Sequence, residues 1–182
     1  MKERKISAQR IALVAIMVAV TFVCTMIRVM YIPPTGGYIH LGDVAANFAA
    51  LAFGPWVGMV ASGVGMAIAD AIGFPLYIVP TLIVHGLQGL VVGLLGWRKR
   101  WPLMVAAAVI GQIIVVLGYF ITQVLLYGLG PALFEAPWNG LQGLVGIAGG
   151  VPLLLLMRRA YPPITQIGQR RQWREEEPGD RG

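Results

Sequence analysis

At 182 residues, with 57% hydrophobic and only 12% charged side chains, the chain is far too apolar for an ordinary soluble domain. There is room for about six membrane spans of about 20 residues and little else. The net charge of +6 sits at membrane-flanking positions, which excludes a nucleic-acid-binding reading, and Cys24, the single cysteine, excludes an intrachain disulfide or a cysteine metal cluster.

The basic N-terminus precedes an apolar run too long for a signal peptide, so the first span is read from about Ala8 to Met30. YIPPTGGYIHLGD then reads as a loop. A short second span runs from about Asp43 to Phe53 and ends at Gly54-Pro55. Span three covers about Trp56 to Ile72, GFPLYIVP turns the chain, and span four covers about Thr81 to Trp97. WRKRW is a tight turn with Trp97 and Trp101 as interfacial anchors. Span five runs from about Pro102 to Tyr127, and GLGPALFEAP is read as a loop before span six, about Trp138 to Met157. Residues 1–160 thus form one membrane domain. Residues 161–182 form a tail, read as disordered because it is rich in charge and has no apolar run.

Thirteen of the fourteen Lys and Arg residues fall on one side of this arrangement, and only Arg28 falls opposite. The positive-inside bias places that side in the cytoplasm. The expected architecture is an all-α membrane protein, a bundle of six transmembrane helices with both termini inside (N-in/C-in).

Small residues line several spans. Ala8, Ala12, Ala15 and Ala19 share one face of span one, Gly89 and Gly93 mark span four, and Gly143, Gly146 and Gly150 mark span six. Such faces let helices approach closely in lipid. In spans four and six they are read as packing within the bundle. In span one the face serves equally for internal packing or for a partner helix.

Polar groups inside apolar spans are costly and mark sites or cavities. Three spans place such groups at similar outer depth: His85 and Gln88 in span four, Tyr119, Gln123 and Tyr127 in span five, and Asn139 and Gln142 in span six. Glu135 and Trp138 sit just above the last pair, and Tyr77 just above His85. Together they suggest an outward-facing polar pocket with aromatic rings to stack on a flat ligand. Each residue also has a plainer account. Tyr31 and Tyr127 read as interfacial anchors, His85 as a hydrogen-bonded core histidine, and Asn139 and Gln142 as links between helices. Asp43 reads as a helix N-cap, and Asp70 as a local cap or a partner of Arg28. Gln112, placed in the inner half of span five, is expected to stand apart from the pocket. One Arg against three carboxylates on the outer side suits a neutral or cationic ligand.

No phosphate-binding loop, HExxH, GxSxG or paired-carboxylate spacing is present, so an enzyme is not expected, and no cofactor is implied. Five motifs occur in order: Ala15-x-x-x-Ala19, GGYIHLGD (Gly36 to Asp43), FGPWVG (Phe53 to Gly58), HGLQGLVVG (His85 to Gly93) and EAPWNGLQGLVG (Glu135 to Gly146). In that order, over about residues 8 to 158, the chain resembles the substrate-binding S component of an energy-coupling factor (ECF) vitamin transporter. The resemblance implies capture of a small vitamin or precursor from outside, across a prokaryotic cytoplasmic (inner) membrane. EAPWNGLQ is most similar to S components for small heteroaromatic rings, such as hydroxymethylpyrimidine, thiamine-related or pyridoxine-like compounds. It implies a lid in the first outward loop, here Tyr38, His40 and Asp43. It implies substrate-binding residues His85, Gln88, Tyr119, Gln123, Glu135, Trp138, Asn139 and Gln142. It also implies docking of Ala15 and Ala19 on a membrane T component that is linked to two ATPase subunits. The alternatives are a small autonomous permease or channel, and an intramembrane enzyme or assembly factor using His85, Glu135 or Asp43.

Overall fold

The computed structural model describes residues 8–32 and 37–167. Six α-helices make up nearly all of it: α1 (Ala8–Met26), α2 (Gly42–Phe53), α3 (Pro55–Gly73), α4 (Ile78–Gly96), α5 (Trp101–Tyr127) and α6 (Leu129–Ala160). Five of them are long and apolar enough to cross a membrane. The expected sixth span, α2, has 12 residues. At 1.5 Å per residue it extends about 18 Å, well short of a hydrocarbon core of about 30 Å.

α2 is the centre of the bundle rather than one of its staves. Ala45, Ala46, Ala49, Ala50, Leu51 and Ala52 are all buried. Alanines on every side let the neighbouring helices close in, and glycines complete the fit. A Cβ on Gly146 or Gly150 of α6 would collide with Asp43 or Asn47 of α2. Between α3 and α4 the approach is backbone to backbone, with Gly58 against Gly89. The glycine faces of spans four and six are therefore internal packing, as read from the sequence. The α2–α3 corner depends on Gly54, whose φ of 94° and ψ of −179° lie in a region essentially reserved for glycine. Trp97 covers that corner, 3.1 Å from where a Cβ would stand.

α1 lies at the edge. Met17, Thr21 and Thr25 face inward, and Gly65 of α3 admits its backbone at Val18 and Phe22. Ala8, Ala12, Ala15 and Ala19 are all exposed, so this alanine face does not pack within the bundle.

Three expectations are corrected. The first span ends at Met26, not Met30, and the loop after it is a two-stranded antiparallel hairpin. Strands β1 (Arg28–Ile32) and β2 (Gly37–His40) pair Tyr31 with Tyr38 and Ile32 with Gly37, with an irregularity between Arg28 and Met30. β-branched and aromatic residues in this stretch favour the extended form once Arg28 breaks the apolar run. Second, the expected GLGPALFEAP loop is helix. Gly128, with φ 88°, ends α5, and α6 starts at the next residue and continues through Pro137. Pro131 falls in its first turn, where a missing N–H costs nothing, and Ala132, Leu133, Phe134 and Glu135 carry the helix on. Third, α4 begins a turn early, at Ile78, after a single 3-10 turn at Pro75–Tyr77. At the other end, Pro162–Thr165 form a short 3-10 turn that buries Ile164 in the core. The tail beyond Ile167, expected to be disordered, lies outside the described residues.

Candidate binding site at the hairpin end of the bundle

The C-terminal ends of α1, α3 and α5 meet the N-terminal ends of α2, α4 and α6 at one end of the bundle. That end lies opposite Arg98, Lys99, Arg100, Arg158 and Arg159 and is roofed by the hairpin. Beneath the roof is an internal cavity of about 40 Å³. Tyr38 and His40 line it from the hairpin, Asp70 from α3, Phe74 and Tyr77 from the α3–α4 connection, Thr81 from α4, Tyr119 from α5, and Glu135, Asn139 and Gln142 from α6.

The floor is organised by Asp43. Its carboxylate is fully buried, and each oxygen accepts an amide donor: Gln88 Nε2 at 2.9 Å on Oδ1 and Gln142 Nε2 at 2.7 Å on Oδ2. Because Gln88 turns its amine to Asp43, its carbonyl faces His85 Nδ1 at 2.6 Å. Nδ1 therefore donates in this contact, and His85 Nε2 is buried with no hydrogen-bond partner. Gln142 in turn ties the floor to the roof, since its Oε1 accepts the backbone N–H of His40 at 3.2 Å. His40 Nδ1 accepts the N–H of Gly42 at 3.0 Å. Burying a carboxylate in such a place requires this full set of donors. The side chain of Asp43 makes no cap bond, and Leu41 is the N-cap residue of α2. The N-cap reading and the placing of Asp43 in the lid loop are both corrected: it is the anchor of the floor.

A second carboxylate, Asp70, sits on the opposite wall. Oδ1 accepts the Tyr38 hydroxyl at 2.7 Å and Oδ2 the Thr81 hydroxyl at 2.5 Å, and Thr81 Oγ1 lies 2.6 Å from Tyr119 Oη. Arg28 makes no ion pair with Asp70. Its guanidinium lies over the rings of Tyr38 and Phe74, with Cζ 4.7 and 5.2 Å from the two centroids. Glu135 presses on the backbone at Gly37, where any Cβ would collide with its carboxylate. Burial pushes the Tyr38 phenol well above its usual range, and the neighbouring Asp70 carboxylate adds to this. Burial pushes the His40 imidazole down to about 4, reinforced by His85 and Arg28 and opposed by Asp43.

Of the residues singled out in the sequence, Tyr38, His40, Tyr119, Glu135, Asn139 and Gln142 meet at the cavity. Asp43, Gln88 and His85 form the layer behind it. Gln123 is fully buried beside Tyr77 and Glu135. Trp138 is half-buried and does not line the cavity. Gln112 does not line the cavity, although its Nε2 donates to the backbone carbonyl of Asn139 at 2.9 Å. The sequence reading missed Thr25, Met66, Asp70, Phe74 and Thr81 as lining residues. Asp70, an acid within an apolar span, was the one visible signal among them.

Two relatives share most of this chain. A protein of Pyrococcus woesei, described as an uncharacterized protein in gap 3'region, is 35% identical over 152 residues, 81% of this chain and 100% of its own length. The thiamine precursor transporter HmpT of Lactococcus lactis subsp. cremoris (strain MG1363) is 32% identical over 153 residues, 83% of this chain and 89% of its own. The family model of the ECF-type riboflavin transporter S component matches residues 5–159. With that match across nearly the whole helical bundle, the chain belongs to the ECF-type riboflavin transporter S component family.

Proposed function

We propose that this protein captures a small vitamin or vitamin precursor from outside a prokaryotic cytoplasmic membrane and delivers it to an ECF complex. It is a multi-pass membrane transport component and not an enzyme. The observation that carries the reading is the roofed cavity, with carboxylates, amides and aromatic rings drawn from five helices and a hairpin, at the end away from the basic clusters. Such a site binds and orients a ligand. Both termini face the cytoplasm in this reading, which puts the hairpin outside. Energy comes from a T component with two ATPase subunits, docked on the exposed Ala15 and Ala19 face of α1.

The substrate is a single small heteroaromatic ring, of the hydroxymethylpyrimidine, thiamine-related or pyridoxine-like kind. The similarity to a thiamine precursor transporter supports this over a three-ring flavin. The test is native mass spectrometry of the purified protein with its co-purifying ligand, followed by titration with hydroxymethylpyrimidine, thiamine, pyridoxine and riboflavin. A retained single-ring ligand with tight binding is expected. Absence of binding to all four overturns the reading.

A further inference from the structure

The cavity is too small for any ring. About 40 Å³ holds a few waters, whereas a cavity that takes a benzene measures on the order of 150 Å³. Tyr38, which lines this cavity, makes contacts of an unusual kind. The Tyr38 ring stacks on Phe74 with centroids 4.8 Å apart and planes 32° from parallel. The Arg28 guanidinium covers it at 4.7 Å, and its hydroxyl donates to Asp70 Oδ1 at 2.7 Å. A flat ring, stacked, capped by a cation and pinned by an edge donor on a buried carboxylate, is bound in the manner of a ligand. On another wall of the same cavity, Asn139 Nδ2 is a buried donor with no partner.

We propose that Tyr38 is an internal stand-in for the substrate. Its phenol fills the ring subsite built by Phe74, Asp70 and Arg28, and the substrate binds there by expelling it. This deepens the reading above and rests on it. The chemistry of the subsite then defines the ligand class. An incoming ring must stack on Phe74 and offer a donor to Asp70 Oδ1, because that oxygen loses its hydrogen bond when Tyr38 leaves. It must also offer an acceptor to Asn139 Nδ2. A heteroaromatic ring with an exocyclic amino group and a ring nitrogen meets both demands. The expelled tyrosine leaves with strand β2 (Gly37–His40), which carries it.

The deciding variant is Tyr38→Phe, which keeps the ring but loses the bond to Asp70. A self-bound state lowers apparent affinity by the fraction of molecules that are open. Loosening the stand-in must therefore tighten ligand binding, by roughly tenfold to a hundredfold for one hydrogen bond to a charged group. The probe is 4-amino-5-hydroxymethyl-2-methylpyrimidine, titrated by calorimetry into the full-length protein in nanodiscs, alongside its analogue with a carbonyl in place of the amino group. Expected are tighter binding by Tyr38→Phe, weaker binding by Asp70→Asn, and a preference for the amino probe in the wild type. If Tyr38→Phe binds equally or more weakly while the wild type binds well, Tyr38 is not a stand-in, and the vitamin-capture reading survives. If the wild type prefers the carbonyl analogue or riboflavin, the assigned ligand class is overturned. Failure of wild type and variant alike to bind these probes, thiamine or pyridoxine overturns the vitamin reading and this proposal with it.

Discussion

Asn139→Ala and Gln142→Ala separate binding from folding, although both residues line the same cavity on the same helix. The Asn139 amine has no protein partner, so its removal breaks no hydrogen bond of the ligand-free fold. Ligand-free stability should stay within about 0.5 kcal/mol of wild type. Ligand affinity should fall by roughly twofold to tenfold, the equivalent of a net hydrogen bond of about 0.5–1.5 kcal/mol. Gln142 is different. Its amide donates to Asp43 at 2.7 Å and accepts from His40 at 3.2 Å. Truncation leaves a buried carboxylate oxygen and a buried N–H without partners, each costing about 1–3 kcal/mol. For a chain of this size the sum corresponds to a drop of roughly 5–15 °C in melting temperature. The assay is a thermal melt in detergent with and without ligand, paired with calorimetry on the same preparations. A stable Asn139→Ala with unchanged affinity, or a Gln142→Ala that melts like the wild type, would falsify this division of roles.

Three further outcomes follow from the geometry. Gly54→Ala forces a Cβ into a glycine-only conformation beside Trp97 and should cost about 1–3 kcal/mol, read as a lower melting temperature with pocket affinity preserved once folded. Ala15→Leu and Ala19→Trp add bulk to an exposed face; reconstituted uptake should collapse while ligand binding by the isolated protein persists, and unimpaired uptake in both refutes docking there. His40 is neutral in the buried, docked hairpin and protonates at about 6.5 when released. Its folded value is the lower one, so docking is at full strength above about 6.5 and weakens as pH falls toward 4. The wild type should lose more stability than His40→Gln between pH 7 and 5, and parallel pH profiles would refute the assignment.

The sequence made the long helices legible because apolar runs bounded by Gly, Pro and charge leave few alternatives in a bilayer. It failed where local chemistry pointed one way and packing another. Gly128, Pro131 and Pro137 read as a loop, yet only Gly128 breaks the chain, and α6 continues to Ala160. Val29 and Met30 looked like the end of a span, yet they lie in β1, where Met30 pairs with Ile39. The convergence of Tyr119, Asn139 and Gln142 followed from depth alone, because helix direction fixes which halves of spans face each other. Asp70 escaped because α3 was judged by its ends. Its partners, Tyr38 and Thr81, lie 32 and 11 positions away in sequence, and no local pattern announces such a pairing. The anchoring role of Asp43 was hidden likewise, since Gln142 is 99 positions distant.

α1 has two addresses on one rigid rod. Thr25 forms part of the cavity wall, close against Gly42 where the hairpin runs into α2. Ala15 and Ala19 lie on an uncovered side of the same helix. Ten residues separate Thr25 from Ala15, about 15 Å along the axis. No loop or hinge interrupts the helix between them. Any tilt of α1 at Thr25 therefore carries the alanine face with it, as one uninterrupted helix must.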